Sequence, residues 1–221
     1  KDVIAGGQGA PLVPIGDKLL FNHFANAFLN IGGFANICIP GDKTKAFDIS
    51  PGNLPLNHLA QKLNLDFDEN GEMAKRGKLN NDLLEKLDNL EYYKKQGPKS
   101  LGTEWLDTSF LPLLDTETNA CNALNTVIEH ITKEIARQLN IHQCQSVYIT
   151  GGGTKNGFLL ERLKTYYKGA IIIPSETIID FKEAIIFGFL GALYLNNEPN
   201  SLSSVTGASK DTIGGVFHKA E

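Results

Sequence analysis

Residues 28–53, FLNIGGFANICIPGDKTKAFDISPGN, constrain the fold of this chain more than any other stretch. One apolar run ends at Gly32-Gly33, a second (34–39) turns back, and a third ends in Asp48, just ahead of Ser50-Pro51-Gly52-Asn53. Paired glycines between two apolar runs predict a tight hairpin whose backbone a ligand can approach without meeting side chains. A carboxylate at the end of the following strand, facing that hairpin, is placed to act as a general base. Together these features predict phosphate held by backbone and an acid–base group aimed at a substrate hydroxyl.

The rest of the chain extends this start. Period-2 and period-3.6 patterns predict strands near 28–32, 34–39, 45–48, 146–150 and 170–173. They predict helices near 53–64, with Asn53 as the N-cap, and near 118–139, 155–166 and 182–196. Leu19, Leu20, Phe24 and Phe28 carry the period of a further short helix within 17–27. Residues 1–15 read as a Gly/Pro-rich connection, and the polar stretch 66–115 as an insertion decorating the core. Three meandering strands followed by alternating helices and strands predict an α/β fold of ribonuclease H-like plan, a mixed five-stranded sheet flanked by helices. That unit recurs in sugar kinases and actin-like ATPases.

Composition narrows the function. The net charge of −4 argues against a nucleic-acid groove or an anionic membrane as the main partner. The three cysteines, Cys38, Cys121 and Cys144, are far apart and form no CxxC pair, which argues against a disulfide framework or a zinc site and favours a reducing cytoplasm. No run of 18 apolar residues and no signal peptide is present. The chain starts at Lys1 without a methionine, and a fragment or processed product is expected.

Three further features invite chemistry. Gly151-Gly152-Gly153 closes the strand QSVYIT and precedes a helix, so its backbone can press against an anionic or flat ligand near the helix N-terminus. A plain strand-to-helix turn would explain one glycine better than three. Glu183 is read as opening the apolar helix FKEAIIFGFLGALYL, where it either favours the helix dipole or faces a cavity. The five histidines form no metal-binding pattern, and DFDENG (66–71) lacks the spacing of a calcium loop.

Taken in order, the segments GGQGAPLVP, FLNIGGFANI, FDISPGN, DFDENGEMAKRG, PKSLGTEW, VYITGGGTKNGFLLERL, KEAIIFGFLGALYL and VTGA resemble the anhydro-N-acetylmuramic acid kinase family of peptidoglycan recycling. The resemblance implies an enzyme that uses ATP and Mg²⁺ to open the 1,6-anhydro ring of anhydro-N-acetylmuramic acid while phosphorylating O6. It implies that Asp48 is the base activating water. Gly32, Gly33, Gly151, Gly152, Gly153 and Asn156 would meet the nucleotide, and Gln8, Gly9, Asn53 and Glu183 the sugar. No protein metal ligand is assigned. Where the family usually places threonine and glycine after the catalytic Asp, this chain has Ile49 and Ser50. The expected organisation is the end of an N-terminal lobe and connection (1–27), a ribonuclease H-like C-terminal lobe (28–200), and a tail returning towards the first lobe (201–221). A homodimer is allowed for. The alternatives are a nucleotide-binding module that has lost catalysis and another sugar kinase of the superfamily.

Overall fold

A computed structural model describes residues 1–95 and 99–218. Five strands form one mixed sheet in the order β3-β2-β1-β4-β5: β1 (Ala27–Ile31), β2 (Phe34–Ile39), β3 (Lys45–Pro51), β4 (Ser146–Thr150) and β5 (Ala170–Ile172). β1, β2 and β3 pair antiparallel, whereas β4 joins β1 and β5 joins β4 in parallel. This is the ribonuclease H-like arrangement. Parallel pairs need a crossover, and the helices Ala120–Ile141 and Gly157–Tyr166 supply it.

Strand alternation divides the core between two faces. On one, Leu29, Ile31, Ile37, Ile49, Val147 and Ile149 pack beneath the helix Ala120–Ile141, with Ile128, Ile131 and Ile135 fully buried. The other carries Phe28, Cys38, Ala46 and Tyr148 under the helices Pro14–Leu19 and Glu176–Leu195. Helix Ala120–Ile141 is capped by Asn119, whose side chain accepts from the Cys121 and Asn122 N–H groups.

Several elements differ from the sequence reading. The short helix expected within 17–27 lies earlier, at Pro14–Leu19, because Pro14 suits a first helical turn. β3 runs on to Pro51 through a bulge at which Ala35 faces Ser50 while Asn36 faces Asp48. Gly52, not Asn53, caps the helix Asn53–Gln61. The helix expected at 182–196 begins at Glu176, after Pro174-Ser175, so Glu183 lies within it and not in its first turn. Although apolar through most of its length, that helix is not wholly buried. Its outer face is open, with Phe181 58%, Phe187 52% and Leu195 66% exposed.

The polar segment 66–115 does more than decorate. Ala74, Leu83, Leu87, Leu106, Phe110 and Leu114 reach the main core from it. The Asp68 carboxylate accepts from the Met73 and Ala74 N–H groups and so anchors the helix Glu72–Arg76. The contact between Gly77 and helix Ala120–Ile141 is closer still, since a Cβ on Gly77 would lie 1.9 Å from the Cys121 carbonyl oxygen.

Candidate active site

Register brings four polar side chains into one row across the sheet. Asp48 on β3 faces Asn36 on β2, Asn36 faces Asn30 on β1, and Asn30 faces Thr150 on β4. Polar groups in otherwise apolar strands cost burial energy unless they find partners or a ligand. All four line a cavity of about 820 Å³ on the face that also carries Phe28 and Cys38. Gln8, Gly151 and Glu183 line the same cavity. Its size falls within the range of small-molecule sites.

Asp48 is clamped by the segment that follows it in space. Its N–H donates to the Lys99 carbonyl at 2.9 Å. Its own carbonyl accepts from the Tyr92 hydroxyl at 2.7 Å, and its Oδ2 accepts from the Leu101 N–H at 2.8 Å. Burial raises the carboxyl above its ordinary value, and the Leu101 N–H offsets this only in part. Among the described residues Oδ1 makes no hydrogen bond, so this oxygen is left to take a proton. The two departures beside it are absorbed structurally: Ile49 is 1% exposed in the core, and the Ser50 hydroxyl donates to the Pro51 carbonyl at 2.9 Å.

The two glycine turns meet at the ends of β1 and β4, and Asn53 lies between them. The Gly32 and Gly33 carbonyls accept from the Gly52, Asn53 and Leu54 N–H groups, so the hairpin seats the start of helix Asn53–Gln61. The Asn53 side-chain amide donates to the Ile31 carbonyl at 3.3 Å. Gly151 has φ 87° and ψ 168°, a conformation essentially reserved for glycine. A Cβ there would lie 2.6 Å from Asn30 Oδ1, and one on Gly153 would lie 2.3 Å from Ile31 Cγ2. Packing against β1 therefore explains two of the three glycines. Gly152 differs: it is exposed, and its Cβ would meet only Asn53 Nδ2, at 3.3 Å. Asn156 is 8% exposed and its Oδ1 caps the next helix by accepting from the Leu159 N–H.

Gly151→Ala should therefore cost about 1–3 kcal/mol of stability, whereas Gly152→Ala, whose Cβ would press only on the Asn53 side-chain amide, should cost clearly less. Paired thermal melts check this; equal losses would contradict it.

Gln8 is exposed on a loop fixed by Asp2. The Asp2 carboxylate accepts from the Gly9 N–H (2.8 Å), the Ser201 hydroxyl (3.1 Å) and the Thr206 hydroxyl (2.8 Å), tying loop 6–9 to the tail. Gly9, with φ +77°, forms the turn and does not line the cavity. Neither do Gly32, Gly33, Asn53, Gly152, Gly153 or Asn156. Glu183 does line it, on the exposed side of its helix. Behind it, Lys182 Nζ meets Asp17 Oδ1 at 2.6 Å, at an angle poor for a hydrogen bond, with side chains only 9% and 4% exposed. The ammonium also lies 5.3 Å from the Phe28 ring centre.

Sequence reasoning missed Asn30, Asn36, Thr150, Lys99, Asp17 and Lys182. The one available signal was the pair of asparagines interrupting FLNI and FANI.

The described residues hold no group of three His, Cys, Asp or Glu side chains able to cage a metal ion. No helix among the described residues is long and apolar enough to cross a membrane.

The family model described as anhydro-N-acetylmuramic acid kinase matches residues 1–220. The anhydro-N-acetylmuramic acid kinase of Haemophilus influenzae is 34% identical over 99% of this chain and 64% of its own length. That of Pseudomonas paraeruginosa is 33% identical over 100% of this chain and 64% of its own. The chain thus spans 64% of the length of these relatives. Among solved structures, component A of the Acidaminococcus fermentans (R)-2-hydroxyglutaryl-CoA dehydratase matches with a TM-score of 0.47 and 12% identity, over 76% of this chain and 61% of that one. The matched span leads to one conclusion: the chain belongs to the anhydro-N-acetylmuramic acid kinase family.

Proposed function

We propose that this chain carries the acid–base and sugar-binding side of a kinase that opens the 1,6-anhydro ring of anhydro-N-acetylmuramic acid and phosphorylates O6. The observation that carries the reading is the Asp48 carboxylate, held through Oδ2 by Leu101 N–H at the head of a polar row in a cavity of about 820 Å³. In this reading Asp48 Oδ1 removes a proton from a water that attacks the anomeric carbon. The bond from that carbon to O6 breaks, and O6 becomes the phosphoryl acceptor. Desolvation of Asp48 strengthens it as a base near neutral pH. Asn30, Asn36 and Glu183 offer hydrogen bonds to sugar hydroxyl and amide groups. Gly152 borders the nucleotide. ATP with Mg²⁺ supplies the phosphoryl group. A reducing cytoplasm is the proposed location, consistent with Cys38, Cys121 and Cys144 all being free thiols.

An ADP-release assay on the product of the complete reading frame tests this. Anhydro-N-acetylmuramic acid should support turnover at least 10²-fold faster, in kcat/KM, than glucose, xylulose or N-acetylglucosamine, in line with sites built to hydrogen-bond a particular substrate. Equal rates across the panel would assign the site to a different sugar kinase. Nucleotide binding without turnover would make it a binding module.

A further inference from the structure

A second cavity, of about 970 Å³, lies on the other side of Asp48's strand, and its charge runs against that of the molecule. The chain as a whole carries −4. Yet this cleft gathers Lys18, Lys43, Lys45, Lys95 and Lys99, along with Lys94 and Arg137, which are paired to Glu91 and Glu134. Among the described residues, Lys18, Lys43 and Lys45 take part in no ion pair. The cleft holds two carboxylates. One of them, Asp211, is already engaged by the Ser203 N–H (2.8 Å) and hydroxyl (2.6 Å).

Cations crowded in a concave, partly dry space repel one another, and the low-dielectric walls focus their field. Lys99 registers this: burial, then Arg137, lowers its pKa. Its Nζ donates to the Tyr92 carbonyl at 3.0 Å and sits 4.3 Å from the Tyr92 ring centre; among the described residues it forms no ion pair, and the Glu134 carboxylate offsets the shift only in part. Burial, and then Lys45, pushes the His142 imidazole below its ordinary value. Phe47, Ile141 and Leu202 give the cleft apolar walls. Lys43, Lys45 and Lys95 are exposed at its mouth, and a concave cleft with apolar walls and concentrated positive charge fits a small phosphorylated molecule better than the extended groove that a nucleic acid needs.

The cleft is also wired to the first cavity. Phe47 and Lys99 line both. The Lys99 carbonyl accepts from the Asp48 N–H at 2.9 Å, and Leu101, two residues on, donates to Asp48 Oδ2. We propose that this cleft is a regulatory site for a small phosphorylated anion, separate from the Asp48 cavity, and that its occupancy is felt at Asp48 through Lys99.

The inference does not rest on the kinase reading, and its test needs no turnover. Inorganic diphosphate is titrated into the 221-residue chain by calorimetry and by amide NMR, with orthophosphate for comparison. Diphosphate should saturate one site about tenfold more tightly than orthophosphate, and Lys43→Glu/Lys45→Glu should weaken it at least tenfold, as loss of charge-assisted contacts does. Binding should weaken as salt rises, and the Asp48 and Leu101 amide resonances should shift on saturation. Should the charge-reversed protein fail to fold, Lys43→Ala/Lys45→Ala, which only removes charge, carries the same test. No saturable binding would overturn the proposal. Binding unchanged by either lysine variant would overturn it too, because the anion would then sit elsewhere, such as at the glycine turns.

Discussion

In the complete enzyme, Asp48→Asn is expected to lower kcat by about 10²–10⁴ while nucleotide affinity changes little. Asparagine keeps the shape and still accepts from the Leu101 N–H, as Asp48 Oδ2 does at 2.8 Å, but it cannot take a proton. The same substitution should not destabilise the fold. Burial raises the folded-state pKa of Asp48, so the native state holds that proton more tightly than the unfolded chain does. Stability from this group is therefore fully present below the unfolded value of about 4 and is lost as pH rises through the folded value. The variant should accordingly melt at or above wild type at pH 8, with the advantage fading towards pH 4. Wild-type activity should fall on the acid side at a pH above the ordinary carboxylate range. Turnover within tenfold of wild type would remove Asp48 from the chemistry.

A larger effect on stability is expected from Asp17→Ala. The carboxylate lies 2.6 Å from Lys182 Nζ, and both side chains are nearly inaccessible. Removing one partner strands the other charge, which typically costs about 3–5 kcal/mol. The pair also joins helix Pro14–Leu19 to helix Glu176–Leu195 where they cross most closely, since a Cβ on Gly16 would lie 2.4 Å from Ile186 Cγ1. Equilibrium unfolding in denaturant measures the loss. Asp17→Leu combined with Lys182→Met should recover most of it, because apolar replacements of similar volume leave no stranded charge. A loss below about 1 kcal/mol for Asp17→Ala would mean that water reaches Lys182 and the pair is not truly buried.

How far the sequence alone reaches follows from which forces are local. The hairpin at Gly32-Gly33 and strand β2 rest on neighbours in the chain, so alternation and punctuation reveal them. Asp48 could be read for the same reason, as a carboxylate closing an apolar strand. The row Asp48–Asn36–Asn30–Thr150 could not, because it depends on strand register and on the bulge between Ala35 and Asn36. Asp17 and Lys182 are distant in sequence, and each alone looks like a helix surface charge. Gly151 and Gly153 drew attention as ligand contacts, yet only the approach of Asn30 and Ile31 shows that packing already requires them. Segment 66–115 misled through composition: its core residues are single apolar positions set among many charges, and only helix Ala120–Ile141 reveals the face they share.

Mass spectrometry of the sugar product tests the central claim most directly. The product of the complete reading frame is incubated with ATP, Mg²⁺ and anhydro-N-acetylmuramic acid, with the Asp48→Asn variant alongside. If Asp48 activates water while O6 accepts phosphate, the product is heavier than the substrate by one water plus one phosphoryl group, and it disappears in the variant. A product heavier by a phosphoryl group alone, or the same ring-opened product at an undiminished rate from Asp48→Asn, would contradict the account.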